Sequence, residues 1–197
     1  MVYRPEALSR GEVLRKSIHI AFGIILAFLF DILPLPYDII FLSVGLALSV
    51  IYDVVRVRIR YTTPFQSVVE IVARSSETVR VGGQTYFFAG ALTAALLFKK
   101  EFVFIAIAVT GISDGISSII GRLYGRVRYK KLSLEGVIAG LAGGVLFTLL
   151  YTGLSLRVIG VAVAIVLSEI SSLYFNDNLT YPLLVGLILE LSATFAG

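Results

Sequence analysis

Apolar residues in this chain come in long blocks separated by short polar gaps, with little of the strict alternation that marks strands. The first block is Ser17–Leu33 (SIHIAFGIILAFLFDIL), closed by Pro34 and Pro36. Ile39 to about Val55, Gln84–Phe98, Phe102–Ile120, Leu134–Tyr151, Arg157–Phe175 and Pro182–Phe195 follow. A membrane-crossing helix needs roughly 20 apolar residues, with a lower limit near 17. The pattern therefore predicts an all-α, polytopic membrane bundle of about seven spans, the third and seventh being the shortest. Residues 1–197 form one membrane-embedded domain on this reading. The 57% hydrophobic content exceeds that of a soluble domain. A mean hydropathy of +0.92 points the same way.

The gap Arg56–Gly83 is too long for a bare connector. Phe65, Val68, Val69, Ile71 and Val72 share one helical face, with Gln66, Glu70 and Arg74 elsewhere, and Pro64 suits a first turn. This predicts an amphipathic helix, Phe65 to about Arg74, lying on the cytoplasmic leaflet. A plain surface helix packed on the bundle is the alternative.

Charge adds an orientation. Three gaps hold 14 of the 17 Lys and Arg residues. Arg4, Arg10, Arg15 and Lys16 precede the first span. Arg56, Arg58, Arg60, Arg74 and Arg80 follow the second, and Arg122, Arg126, Arg128, Lys130 and Lys131 follow the fourth. Lys99, Lys100 and Arg157 fall on the other side of a seven-span arrangement. The positive-inside rule then places the N-terminus in the cytoplasm and the C-terminus outside. A net charge of +4 is explained by these flanks and by anionic lipid or phosphate contact, so nucleic acid is not expected as a partner. No cysteine and one histidine exclude a disulfide framework, a Cys-ligated zinc site and a His-rich metal site. Met1–Lys16 is mixed polar with Glu6 and Glu12, so no cleavable signal peptide is expected.

Ionisable groups inside spans cost about 2.5–3.5 kcal/mol each and are functional candidates by default. Here they are His19, Asp114, Glu169 and Glu190, with Glu135 at a span entrance. His19, Asp114 and Glu169 lie at comparable depth beneath the basic side. Polar glue between helices is the alternative for each, and for Glu190 the two readings stay level. Around Asp114 runs DGISSIIGRLYG, Asp114–Gly125, followed by Lys130, Lys131 and then Ser133, a candidate N-cap with Glu135 in the next turn. A lysine pair before a helix N-terminus, facing a carboxylate, suits a polyphosphate carrying Mg²⁺. A basic loop with ordinary helix caps would look much the same. Gly111 and Gly115, and the series Gly136, Gly140 and Gly144, permit close helix approach, either in the protomer's core or in a homodimer. There is no P-loop, kinase glycine loop, GxSxG or HExxH.

Four separated segments resemble one family. RKSIH (Arg15–His19) is similar to the RKxxH that opens the first span of the CTP-dependent lipid kinases, which include dolichol kinase, phytol kinase and CTP-dependent diacylglycerol kinase. DGISSIIGRLYG with KKLSLEG resembles their DxxAxxxGxxxG…K[ST]xEG block, although Ile116 and Ser117 depart from its small residues. NDNLTYPL (Asn176–Leu183) resembles their DNLTxPL, and GGQTYFFAG (Gly82–Gly90) a glycine-rich segment opening a mid-chain span. Scarce Gln and Asn and the absence of Cys point toward a thermophile, and the resemblance implies an archaeal source.

The resemblance implies a phosphotransferase moving the γ-phosphate of CTP to a membrane-embedded lipid alcohol, with Mg²⁺ or a similar cation. It implicates Arg15, Lys16 and His19; Asp114, Gly121, Lys131, Ser133, Glu135 and Gly136; and Asp177, Asn178, Thr180 and Pro182. On that footing Asp114, with Asp177 or Glu169, is expected to hold the metal. Lys131 with Arg15 or Lys16 would neutralise the phosphates, with Lys130 beside them. Asn178 and Thr180 would bind the nucleotide or a metal-bound water. His19 is expected to take the hydroxyl proton, with Asp114 as its rival for that role. A CTP-dependent cytidylyltransferase and a small ion or proton-coupled transporter are the alternative functions.

Overall fold

The computed structural model describes residues 10–59 and 81–196. Among these residues the chain forms seven α-helices and one two-residue-per-strand hairpin. The helices are α1 (Arg10–Ile32), α2 (Tyr37–Val54), α3 (Gly83–Leu97), α4 (Lys100–Tyr124), α5 (Leu134–Thr152), α6 (Leu156–Ser171) and α7 (Asp177–Ala196). A π-helical turn, Val55–Ile59, extends α2. The hairpin pairs β1 (Arg128–Tyr129) antiparallel with β2 (Leu132–Ser133) between α4 and α5. The amphipathic helix expected at Phe65–Arg74 lies outside the described residues.

The centre of the fold is α4, buried without interruption from Phe102 to Gly115. A helix apolar all round needs neighbours all round. They are α1, α5 and α7, with α3 lying between α2 and α7, and α6 between α5 and α7. Close approach is bought by glycine. A Cβ on Gly111 would sit 2.9 Å from the Gly23 Cα, and one on Gly23 2.7 Å from the Gly111 Cα, so α1 and α4 touch backbone to backbone. Gly136 and Gly140 lie against the Ser117 and Ser113 carbonyls, and Gly144 against Ile165 and Val109. The glycine series of α5 is thus packed against α4 and α6.

Successive helices run in opposite directions. Lys16 meets Asp114 while Lys100 donates to the Leu33 carbonyl, which sets α1 antiparallel to α4. Asp53 meets Gly82 and Thr85, which sets α2 antiparallel to α3. Every described Lys and Arg except Lys99, Lys100 and Arg157 falls at the end where α1 begins. Ion pairs staple the opposite end: Lys100 to Asp38 and Arg157 to Glu101. Glu190 belongs to that end too, where it accepts the Lys99 backbone N–H at 3.2 Å and lies 3.5 Å from Lys99 Nζ. Of its two readings, helix-end glue is the one observed.

Large apolar side chains point outward from the bundle, among them Leu48 at 61% exposure and Leu150 at 78%. Among the described residues, four stretches are long and apolar enough to cross a membrane: Gly11–Ile32, Tyr37–Arg58, Lys100–Tyr124 and Leu134–Thr152. With 15 and 16 residues, α3 and α6 reach only about 22–24 Å at 1.5 Å per residue.

Several boundaries differ from those the apolar runs predict, always because polar residues join a helix. The first helix starts at Arg10 rather than Ser17, so RKSIH is helical. Gly121 lies within α4, which runs on to Tyr124. α6 stops at Ser171, four residues before Phe175, and α7 starts at Asp177, five before Pro182. Pro182 is therefore the sixth residue of a helix and leaves the Asn178 carbonyl without its helical donor. That carbonyl lies where a side chain on Gly90 would be, 2.9 Å from its ideal Cβ position.

If backbone contact between α1 and α4 is what seats them, Gly111→Ala should cost about 1–3 kcal/mol by overpacking. Gly160→Ala should be nearly neutral, since its nearest neighbour would be 3.5 Å away. Unfolding of the two variants in mixed micelles checks the contrast.

Candidate active site

Asp114 sits midway along the buried helix, where an isolated carboxylate would be costly. Its partner comes from α1. Lys16 Nζ lies 2.5 Å from Asp114 Oδ2, the two side chains being 6% and 8% exposed. His19, one turn further along the same face of α1, places Nε2 3.3 Å from that same oxygen. The Nε2 atom is buried and its N–H is not aligned on the carboxylate, so it has no hydrogen-bond partner. Phe87 of α3 holds the imidazole edge-on, with centroids 5.5 Å apart. Ser118 Oγ lies 3.4 Å from Asp114 Oδ1. The register follows from small residues: Gly111 on Gly23, and Gly115 under Ile20 and the Lys16 carbonyl.

A second carboxylate stands beside the first. Glu169, near the end of α6, is buried and accepts a hydrogen bond from Tyr181 Oη at 2.9 Å. Ser117 faces it, and Asp114 and Asp177 are close enough for their charges to act on it. α4, α6 and α7 thus each contribute an acid. Among the described residues, however, no three His, Asp or Glu side chains converge on one point as a ready metal cage. The set offers hard-oxygen ligands of the kind and number that Mg²⁺ takes when phosphates supply the rest.

The Asn176–Leu183 segment is folded onto its neighbours. Asn178 Nδ2 donates to the Gly83 carbonyl at 3.1 Å, while its Oδ1 is buried without a partner. The Thr180 hydroxyl accepts from Ser171 at 3.1 Å and donates to the Asn176 carbonyl at 3.2 Å, tying the α6–α7 turn together. Asp177 Oδ1 caps the Asn178 N–H at 3.0 Å. Pro182 is buried in α7. His19 Nε2 and Asn178 Oδ1 are therefore polar atoms at this end of the bundle with bonding capacity left over. Buried unpartnered polar groups are rare enough to call for a reason.

The basic loop is arranged differently from the sequence expectation. Ser133 is the N-cap of α5, its Oγ accepting the Gly136 N–H at 3.1 Å. Glu135 Oε1 is engaged by the loop itself, accepting the Arg126 and Val127 N–H groups at 2.9 and 3.3 Å. Arg128 caps α4 by donating to the Gly121 and Gly125 carbonyls. Gly121 and Gly136 face each other across α4 and α5, with Ser133 Oγ filling the space beside Gly121. These glycines bring helices together, and their Cα faces are closed to a phosphate. Lys130 forms the hairpin tip with φ of 52°, its Nζ 5.0 Å above the Tyr174 ring of the α6–α7 turn. Lys131 is exposed. Arg15 pairs with Glu12 at 3.1 Å, and Arg122 also pairs with Glu12. The cation on Asp114 is thus Lys16. Lys131 lies two residues before Ser133, which packs on Gly121, two helical turns beyond Asp114 at the same end of the bundle.

One acid escaped the sequence reading. Asp53, at the end of α2, is buried and accepts from the Gly82 N–H at 2.9 Å and from Thr85 Oγ1 at 2.6 Å. Arg56 and Gln84 lie on its other oxygen at 2.6 and 3.4 Å. It falls inside the apolar run Ile39–Val55, so the rule that singles out His19 and Asp114 applies to it equally.

The chain matches no protein-family model, no curated protein and no solved structure.

Lys16→Met strands a buried carboxylate and should cost about 3–5 kcal/mol, whereas removing both charges together costs much less. Lys16→Met combined with Asp114→Leu should therefore recover most of the stability lost in Lys16→Met alone. A double-mutant cycle by unfolding in mixed micelles measures it.

Proposed function

We propose that this chain is an integral membrane phosphotransferase that moves the γ-phosphate of CTP onto the hydroxyl of a lipid alcohol at the cytoplasmic face. The observation that carries the reading is the buried Lys16–Asp114–His19 cluster. Its members come from two segments 98 residues apart, each of which separately resembles a motif of the CTP-dependent lipid kinases. The third such segment, Asn176–Leu183, is tied to the start of α3 through Asn178 and to Glu169 through Tyr181. Seven spans with a cytoplasmic N-terminus are part of the proposal, supported by the antiparallel order of the helices and by the gathering of basic residues at one end. CTP rather than another nucleotide rests on the resemblance. The alcohol is of a class, polyprenol, dolichol, a related isoprenoid or a diradylglycerol, whose tail the outward apolar faces of the bundle would accommodate.

Phosphoryl transfer asks mainly for alignment and for neutralisation of negative charge. A bond forms between the lipid oxygen and the γ-phosphorus, the β–γ bridging P–O bond breaks, and CDP leaves. Asp114 and Asp177 would hold a divalent cation, which when bound screens the triphosphate charge. Lys16 reaches the same locus, with Arg15 one residue away, as cations for the transferred group. Lys16 and the cation would between them occupy the Asp114 carboxylate. His19 is thereby the better acceptor for the hydroxyl proton, and the adjacent carboxylate stabilises the imidazolium that forms. Asn178 Oδ1 is free to accept a hydrogen bond from the nucleotide or from a metal-bound water.

The test uses detergent-solubilised protein, a panel of lipid alcohols, and CTP labelled at either the γ- or the α-phosphate. Label from the γ position should appear in lipid with CDP released. Transfer of the α label with release of pyrophosphate would instead make the protein a cytidylyltransferase, and ion flux without nucleotide turnover a transporter. Asp114→Asn should lower turnover at least about a hundredfold, and His19→Gln by about 10²-fold or more with nucleotide binding retained. Near-normal activity of folded Asp114→Asn would remove Asp114 from the mechanism.

A further inference from the structure

We infer that Asp53 is a positioning residue, one that sets His19 and Asn178 through α3 without touching either; as regards catalysis this rests on the function proposed above. The argument begins with the start of α3. Its N-cap, Gly82, has no side chain with which to cap, and no other side chain within the helix caps it. The free N–H is answered from another helix. Asp53 Oδ2 takes the Gly82 N–H at 2.9 Å and the Thr85 hydroxyl at 2.6 Å, both bonds buried. Charge-assisted bonds of this kind are short and directional, and a carboxylate at a helix N-terminus also meets the positive end of the helix dipole. Asp53 is in turn held by Arg56 one turn further along, at 2.6 Å. The first turn of α3 is thereby fixed to the end of α2, both along its axis and about it.

Two features of α3 carry that constraint inward. The Gly83 carbonyl, next in sequence to the anchored N–H, accepts Asn178 Nδ2 at 3.1 Å and so determines where the unpartnered Asn178 Oδ1 lies. One turn on, Phe87 is buried with its ring against His19. Gly90 completes the link, its missing side chain making room for the Asn178 and Leu179 carbonyls at the start of α7. A rigid helix of 15 residues anchored at one end thus touches both His19 and Asn178, whose Nε2 and Oδ1 have no hydrogen-bond partner. Freeing its first turn lets Gly83 and Phe87 move together, and a displacement of about 1 Å at a reacting group costs on the order of a hundredfold in rate. A residue serving only as a local cap would loosen the first turn of α3 and nothing beyond it.

Hydrogen exchange and kinetics of the full chain in detergent distinguish the two. In Asp53→Ala, amides at 82–86 and at 178–181 should both exchange about tenfold faster or more, while those of α4 and α5 keep the wild-type rate. Thr85→Val, which removes one donor and keeps shape and carboxylate, should move the same two segments by less, and it serves if Asp53→Ala does not fold. In the kinase assay both variants should lower kcat, Asp53→Ala by about ten- to a hundredfold, and Asp53→Glu should recover part of the loss. Faster exchange confined to 82–86, with 178–181 at the wild-type rate, would overturn the inference. So would a kcat equal to wild type in a variant whose 178–181 amides are loosened. If the wild-type protein transfers no phosphate from CTP, the function above fails, and the exchange experiment by itself decides whether Asp53 sets Asn178.

Discussion

A carboxylate placed halfway along a helix that is apolar on every side is the constraint around which the rest of this fold is organised. Asp114 cannot be left unpaired there, and its partner must arrive from another helix. Lys16 does so only because α1 and α4 lie in backbone contact at Gly23 and Gly111, and because Gly115 makes room for Ile20 and the Lys16 carbonyl. Small residues and the ion pair therefore depend on each other. Bulkier side chains at the crossing would lift Lys16 away, and loss of Lys16 would leave a buried charge. The same crossing carries His19 to the carboxylate, so one geometric condition serves both stability and the proposed chemistry.

On its other sides α4 repeats the arrangement with weaker interactions. Ser113 Oγ donates to the Gly140 carbonyl of α5 at 2.9 Å, and Ser117 lies near Glu169 of α6. Glu169 is joined by Tyr181 to α7. The polar groups of the interior are thus linked in sequence around one helix. Each link also removes the penalty of a polar group exposed to hydrocarbon. The opposite end of the bundle has ion pairs, one of them on the buried Asp38, and a backbone clamp, Glu190 on the Lys99 N–H.

Much of the architecture was legible in the sequence, because hydrophobic block length fixes a helix irrespective of its neighbours. All seven blocks are helices, and His19, Asp114 and Glu169 do lie toward the same end. What sequence reasoning missed was partnership. Lys131 and Lys16 were both expected to meet phosphate, yet Lys131 is exposed beyond the hairpin tip while Lys16 reaches across from α1 to pair with Asp114. Helix ends were misjudged wherever polar residues continue a helix, as in RKSIH and Asn176–Leu183, since tertiary bonds satisfy what hydropathy counts against a span. Gly121 and Gly136, implicated by the resemblance, face each other across α4 and α5, a contact that spacing alone does not reveal. Asp53 was within reach of the rule already in use and needed only to be asked who its donors were.

The start of α7 has one more implication. The Asn178 carbonyl lies against Gly90 while its side chain reaches back to the Gly83 carbonyl, so α7 begins about one helical turn deeper than α3 does. The turn leading into it, with Asn176 and Asp177, brings polar backbone to that depth on one flank only. Hydrocarbon tails cannot solvate such groups. A bilayer surrounding this protein should therefore be pinched along the α6–α7 flank and of ordinary thickness along α1 and α5. A lipid whose head group followed that local dip would have already descended toward the level of Asp114 before meeting any side chain.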